Sequence, residues 1–151
     1  MSIVRLFFIS VMLIGVTACG GGDSTSNDSD AGSGNPDPMG LDGSYTGMQN
    51  LMLNLGGVSE IAELEALVTV IGNNILIDPL TANGSIANDT FVATTNRTST
   101  QGGLTCQFLL TYRGDISLES LSGDITGTAI CDQGEGNQTL NVTGSISATR
   151  N

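Results

Sequence analysis

The sequence predicts an all-β domain: an antiparallel meander of about eight strands, closed into a small up-and-down barrel, with a β-sandwich as the alternative architecture. Three observations carry this. Apolar and polar residues alternate with period two through most of residues 41–151, the signature of strands with one buried face. One hairpin register brings two cysteines opposite each other and aligns an apolar face. Glycines recur on the inward-facing positions of the predicted strands, where barrel closure needs sharp bends.

The elements follow in order. A first strand is predicted near 43–55. The next segment, Ser59-Glu60-Ile61-Ala62-Glu63-Leu64-Glu65-Ala66, reads as a short helical turn capped by Ser59 that continues into a strand near 62–72. An all-strand reading would instead point Ala62, Leu64, Ala66, Val68 and Val70 inward and Glu63 and Glu65 outward. Asn73-Asn74 predicts a tight hairpin, because Asn tolerates positive φ. Strands then fall near 74–78 and 83–87, and Asn88-Asp89 predicts a second tight turn before a strand near 90–98. Further strands are predicted near 104–116, 121–132 and 138–149, with Gly134-Glu135-Gly136-Asn137 as the last connection. In the final strand Leu140, Val142, Gly144, Ile146 and Ala148 alternate with polar residues.

Folding the chain back at Leu118-Glu119 gives the strongest internal test of register. Ile116 then faces Leu121, Gly114 faces Gly123, Tyr112 faces Ile125, Leu110 faces Gly127, Phe108 faces Ala129 and Cys106 faces Cys131. Every pair is apolar or small, and a slip of one residue would expose the whole face. The turn residues suit a four-residue loop at 117–120 better than a two-residue one. A Cys106–Cys131 disulfide is therefore predicted. Gly114, Gly123, Gly127 and Gly144 lie on the inward face, and bending is favoured over the alternative in which they widen a ligand cavity. If a lumen exists, Phe108, Leu110, Tyr112, Ile125, Val142 and Ile146 line it. Eight strands leave an interior that is filled or holds one small molecule.

Composition excludes several function classes. The chain has no His and no Lys, and four arginines stand against fifteen acidic residues. Phosphate neutralisation needs basic residues, so nucleic acid is excluded as a partner. Nucleophilic hydrolysis lacks its usual His or Lys activator. Carboxylates such as Glu60, Glu63, Glu65, Asp115 and Asp124 fall in loops or on outward positions rather than in an apolar alternation, so no catalytic residue is expected and the chain is read as a non-enzyme. No metal site and no cofactor are expected. Asp132 and Glu135 in the Gly-rich loop read as a turn rather than a calcium site. The Asn-x-Ser/Thr triplets at Asn83, Asn88, Asn96, Asn137 and Asn141 read as Thr-rich strand composition.

The N-terminal residues address location. Arg5 precedes an apolar run from Leu6 to Val16 broken by Ser10 and Gly15. At less than the roughly 20 residues that cross a bilayer, it suits a signal-peptide h-region. Val16-Thr17-Ala18-Cys19 follows and resembles the lipobox of bacterial lipoproteins. The resemblance implies a signal peptide over 1–18, lipidation of Cys19 by acyl chains such as palmitate, and a mature chain that starts there. Residues 19–40 then form the lipidated cysteine and a flexible tether of Gly, Ser, Asn, Asp, Thr and Pro, too polar to offset ordering entropy. Residues 41–151 form a single β domain. Gly20 is not the aspartate that retains lipoproteins at the inner membrane in enteric bacteria, so the resemblance implies the outer membrane. Arg5 leaves with the leader, which keeps the tethered part strongly acidic. Gly43-Ser44-Tyr45-Thr46-Gly47 also resembles the opening of lipocalin-like barrels, without the tryptophan of their Gly-x-Trp.

Two functions follow as expectations. The first is an outer-membrane-anchored lipoprotein whose small β domain has a structural or protein-interaction role in the cell envelope. The alternative is a lipocalin-like barrel that binds a small apolar ligand. The expected partners are the membrane, through the lipid, and an envelope protein, with a small apolar ligand under the alternative.

Overall fold

Alternation places an apolar side chain inward at every second residue, and the chain uses it to close a sheet on itself. The computed structural model describes residues 40–101, 103–132 and 136–151. Eight strands run in meander order: β1 (Gly43–Leu55), β2 (Val58–Ile71), β3 (Asn74–Asp78), β4 (Ala82–Ala87), β5 (Thr90–Gln101), β6 (Leu104–Ile116), β7 (Ser120–Asp132) and β8 (Asn137–Arg150). Each pairs antiparallel with its sequence neighbour, and β8 returns to β1, so the sheet is a closed barrel. The seam runs from Tyr45↔Arg150 to Asn54↔Asn141. The barrel expectation holds over the sandwich.

The turns explain the register. Gly56 and Gly57 both take positive φ, at 56° and 89°, and Asn88 and Asp89 do so at 50° and 61°, as two-residue type I′ hairpins require. The turn between β2 and β3 sits one residue earlier than Asn73-Asn74 predicts. Ile71 pairs with Asn74, and Gly72, at φ 58°, takes the positive-φ position expected of asparagine, because glycine reaches it without a Cβ penalty.

Residues 59–66 correct the sequence reading. They are strand throughout, within β2, and no helical turn forms. Ala62, Ala66, Val68 and Val70 are buried and Glu63 and Glu65 are exposed, as the all-strand alternative requires. The deciding signal is Gly56-Gly57, which ties this segment into the β1 ladder from Leu55↔Val58 onward. Tertiary pairing then outweighs local helix propensity.

Inside the barrel lies one continuous apolar cluster that includes Tyr45, Leu51, Val68, Ile77, Phe91, Leu110, Tyr112, Ile125 and Ile146. Outward positions such as Asn50, Glu65, Thr94, Asp115, Asp124, Thr126, Thr143 and Ser145 are exposed. The outer face also exposes large apolar side chains, Ile61, Leu67 and Ile71 among them. Both chain ends of the barrel are fastened at one rim. Arg150 donates from Nη1 to the Gly40 carbonyl at 3.1 Å and from Nη2 to the Asp42 carbonyl at 2.6 Å.

The inward glycines are closure devices. A Cβ on Gly114 would sit 2.0 Å from the Ser122 carbonyl oxygen, and one on Gly144 would sit 2.1 Å from that of Asn50. The obstacle in each case is the backbone of the neighbouring strand rather than open lumen. Bending and close strand approach are therefore what these positions supply.

Candidate functional site

The predicted hairpin is present in full. Cys106↔Cys131, Phe108↔Ala129, Leu110↔Gly127, Tyr112↔Ile125, Gly114↔Gly123 and Ile116↔Leu121 are all paired between β6 and β7. Cys106 and Cys131 form a disulfide between strand positions with Cα atoms 4.0 Å apart. The hairpin closes through the Ser117 N–H donating to the Ser120 carbonyl at 2.8 Å.

All six lumen candidates, Phe108, Leu110, Tyr112, Ile125, Val142 and Ile146, converge in the barrel interior. They cover one another. Tyr112 and Ile125 are 0 % exposed, Leu110 2 % and Phe108 6 %, so these side chains do not line a solvent-filled cavity.

Among the described residues the buried polar ones are Gln49 and Thr95, and sequence reasoning singles out neither. Gln49 lies on the inward face of β1 between Tyr45 and Leu51. A glutamine inside an apolar alternation is the signal that could have found it. Its Oε1 accepts a 2.9 Å hydrogen bond from the Tyr112 hydroxyl, and its Nε2 donates to the Asp78 carbonyl at 2.9 Å. Burial pushes the Tyr112 hydroxyl well above the ordinary tyrosine range, since a buried phenolate loses its hydration. Tyr45 performs a similar duty nearer the rim where Arg150 holds Gly40 and Asp42. Its hydroxyl lies 3.2 Å from the Leu41 carbonyl oxygen and 3.1 Å from that of Ser117.

The barrel wall is uneven. β3 and β4 have 5 and 6 residues, against 14 in β2 and 12 in β5. β2 pairs with β3 only over residues 67–71, and β5 pairs with β4 only over 90–94. Among the described residues, 58–66 and 95–101 therefore have a ladder partner on one side only. The connection 79–81 lies at the head of this gap. Thr95 Oγ1 donates to the Leu80 carbonyl, and Arg97 Nη1 donates to the Pro79 carbonyl and, at 2.7 Å, to Thr81 Oγ1. Leu80 and Leu64 pack against the core from this side. Thr81 takes φ 54°, unusual for a β-branched residue. The unequal strand lengths are legible in the sequence; the gap they leave appears only once the sheet is closed.

Glu63, Glu65, Asp115 and Asp124 are exposed on the outer surface. Among the described residues no cluster of His, Cys, Asp or Glu is arranged to hold a metal ion. Cys19, the lipobox, the tether up to residue 39 and Glu135 lie outside the described residues. No family model, curated protein or solved structure matches this chain.

Proposed function

We propose that this chain is a lipid-anchored protein of the bacterial outer membrane, held through Cys19, whose acidic tether presents the barrel as a structural or protein-interaction module. The observation that carries the reading is the pairing of the lipobox-like Val16-Thr17-Ala18-Cys19 with a body stapled by Cys106–Cys131. Disulfides persist outside the reducing cytoplasm, where a lipoprotein would be displayed. Removing Cys19 to lipid also leaves the other two cysteines to pair with each other.

The filled interior weighs toward an interaction module and away from the lipocalin-like alternative, in which a small apolar ligand would occupy the space that Tyr112, Leu110 and Phe108 take up. Ligand sites are concave and offer a few convergent polar groups. The interior polar groups of Tyr112, Gln49 and Thr95 are engaged within the protein, Tyr112 with Gln49, Gln49 with the Asp78 carbonyl and Thr95 with the Leu80 carbonyl. No catalytic role is proposed, because the carboxylates Glu63, Glu65, Asp115 and Asp124 face water.

Growing cells with an alkyne fatty acid tests the anchor. The wild-type chain should be labelled and fractionate with the outer membrane, and Cys19→Ser should be neither labelled nor membrane-bound. Label on the Cys19→Ser chain, or none on the wild type, would overturn the reading.

A further inference from the structure

We infer that the open edge of β2, residues 58–66, is a docking site for an extended segment of another protein in which basic and apolar side chains alternate. The inference rests on the interaction-module reading and specifies its partner. It begins with the ladder. β3 ends its pairing at Leu67↔Asp78, so among the described residues no strand lies beside 58–66 on that side, and the edge is the template that strand addition uses.

The side chains flanking this edge select the occupant. On the outer face Ile61 is 69 % exposed, and Met52, its direct partner on β1, is 43 % exposed. Val58 is 62 % exposed at the end of the same edge. Glu63 and Glu65 continue the outer face beyond Ile61, both exposed. A strand laid against this edge places an outward side chain opposite each of Glu65, Glu63 and Ile61. Opposite charges and apolar pairs stabilise such cross-strand neighbours, whereas like charges oppose them. The complementary outward sequence is therefore basic, basic, apolar. Its alternate residues face the side of Ala62, Leu64 and Ala66, and are apolar.

Two other pairings are disfavoured by the same residues. A second copy of this chain set edge to edge through β2 would bring glutamates toward glutamates. The opposite edge, residues 95–101, is polar on its outer face, and its Thr95 and Arg97 side chains are engaged with the 79–81 connection. Beside it, among the described residues, the one strongly apolar outward neighbour is Leu109, opposite Asn96 and 37 % exposed, against Ile61 at 69 %, Val58 at 62 % and Met52 at 43 % on the β2 side.

The test uses the purified full chain and two capped peptides. One carries lysine at the positions facing Glu65 and Glu63, isoleucine facing Ile61 and valine between; the other has glutamate in place of lysine. The lysine peptide should bind and slow amide exchange at residues 58–66. Glu63→Lys with Glu65→Lys should weaken the lysine peptide about tenfold, from two cross-strand charge pairs, and admit the glutamate peptide. Ile61→Thr, which keeps a β-branched strand residue, should weaken both without changing the charge preference. Binding with no charge preference, protection at 95–101 instead, concentration-dependent dimers of the chain alone, or no binding would each overturn the inference. Site-specific photo-crosslinking in cells separates it from the reading beneath it. A partner captured from position 126 and not from position 61 would leave an interaction module standing and remove this edge as its site.

Discussion

The Tyr112 hydroxyl donates a 2.9 Å hydrogen bond to Gln49 Oε1, and so joins β6 to β1 across the barrel interior. Gln49 passes the link on to the Asp78 carbonyl at the end of β3. Three strands that are not mutual neighbours are thus tied through one buried amide. A buried amide is costly unless its donors and acceptors are engaged, and this bond sits at the level where the wall thins beyond β3.

Tyr112→Phe should destabilise the barrel by about 1–3 kcal/mol, because Gln49 Oε1 is left without its buried donor. The effect should depend on pH in a defined direction. Burial keeps the Tyr112 proton on in the folded chain, whereas the unfolded chain releases it near pH 10. Above that value the unfolded state binds fewer protons than the folded one, so the stability supplied by protonated Tyr112 is intact below it and declines as pH rises past it. Urea midpoints of wild type and Tyr112→Phe should therefore stay apart below about pH 10 and draw together as pH rises above it. Parallel curves would show that the hydroxyl titrates alike in both states.

Loss of the disulfide is a separate test. The bridge links Cys106 to Cys131 across a sequence separation of 25. Replacing both cysteines by alanine should cost about 2–4 kcal/mol, chiefly through the wider freedom of the unfolded chain. The hairpin register should survive, since Phe108, Leu110, Tyr112 and Ile116 still face their partners. Urea unfolding measures the loss, and hydrogen exchange across β6 and β7 checks the register.

What the sequence discloses follows from how each feature is encoded. The β6–β7 register is readable because six facing pairs, the cysteines among them, impose the same alignment. The β2 entrance is ambiguous because Ile61, Leu64 and Val68 also fit a helical face, and only the Gly56-Gly57 turn, a non-local commitment to pair with β1, decides between periods of two and 3.6. The turn at Gly72-Asn73 is displaced by one residue from its predicted place because Gly and Asn both tolerate positive φ. Gln49 and Arg97 escape a linear reading because their partners, Tyr112, Pro79 and Thr81, become neighbours only when the sheet closes.

Glycine at the inward positions should be replaceable only where open space surrounds it. On Gly114 an added Cβ meets the Ser122 carbonyl oxygen at 2.0 Å and Gly123 Cα at 2.4 Å. Neither can yield without moving β7, so Gly114→Ala should cost about 2–4 kcal/mol, at the upper end of single substitutions. Gly72, at φ 58° and with nothing within 4 Å of where a Cβ would stand, offers the contrast. Gly72→Asn should cost under about 1 kcal/mol, as asparagine tolerates the left-handed region. Equal losses at the two sites would show that backbone crowding is not what selects glycine at 114.

Arg97 should act on the wall gap rather than on the barrel as a whole. Its guanidinium receives no help from a neighbouring strand on the β4 side, where pairing ends at Asn83↔Thr94; it instead holds Pro79 and Thr81 from across the gap. Arg97→Ala removes two charge-assisted hydrogen bonds at an exposed site, where each is worth about 1 kcal/mol or less after solvent competition. Global stability should fall by about 1 kcal/mol. The larger change should be local: amides at 80–82 should exchange faster, because Thr95 is then the β5 side chain left holding the connection, through Leu80, while amides in β6 and β7 keep their protection. Arg97→Lys should recover part of the protection, since both bonds leave from the one nitrogen Nη1 and an ammonium also offers more than one donor. Uniform loss of protection around the barrel would instead make Arg97 part of the general fold and leave the connection fastened by other means.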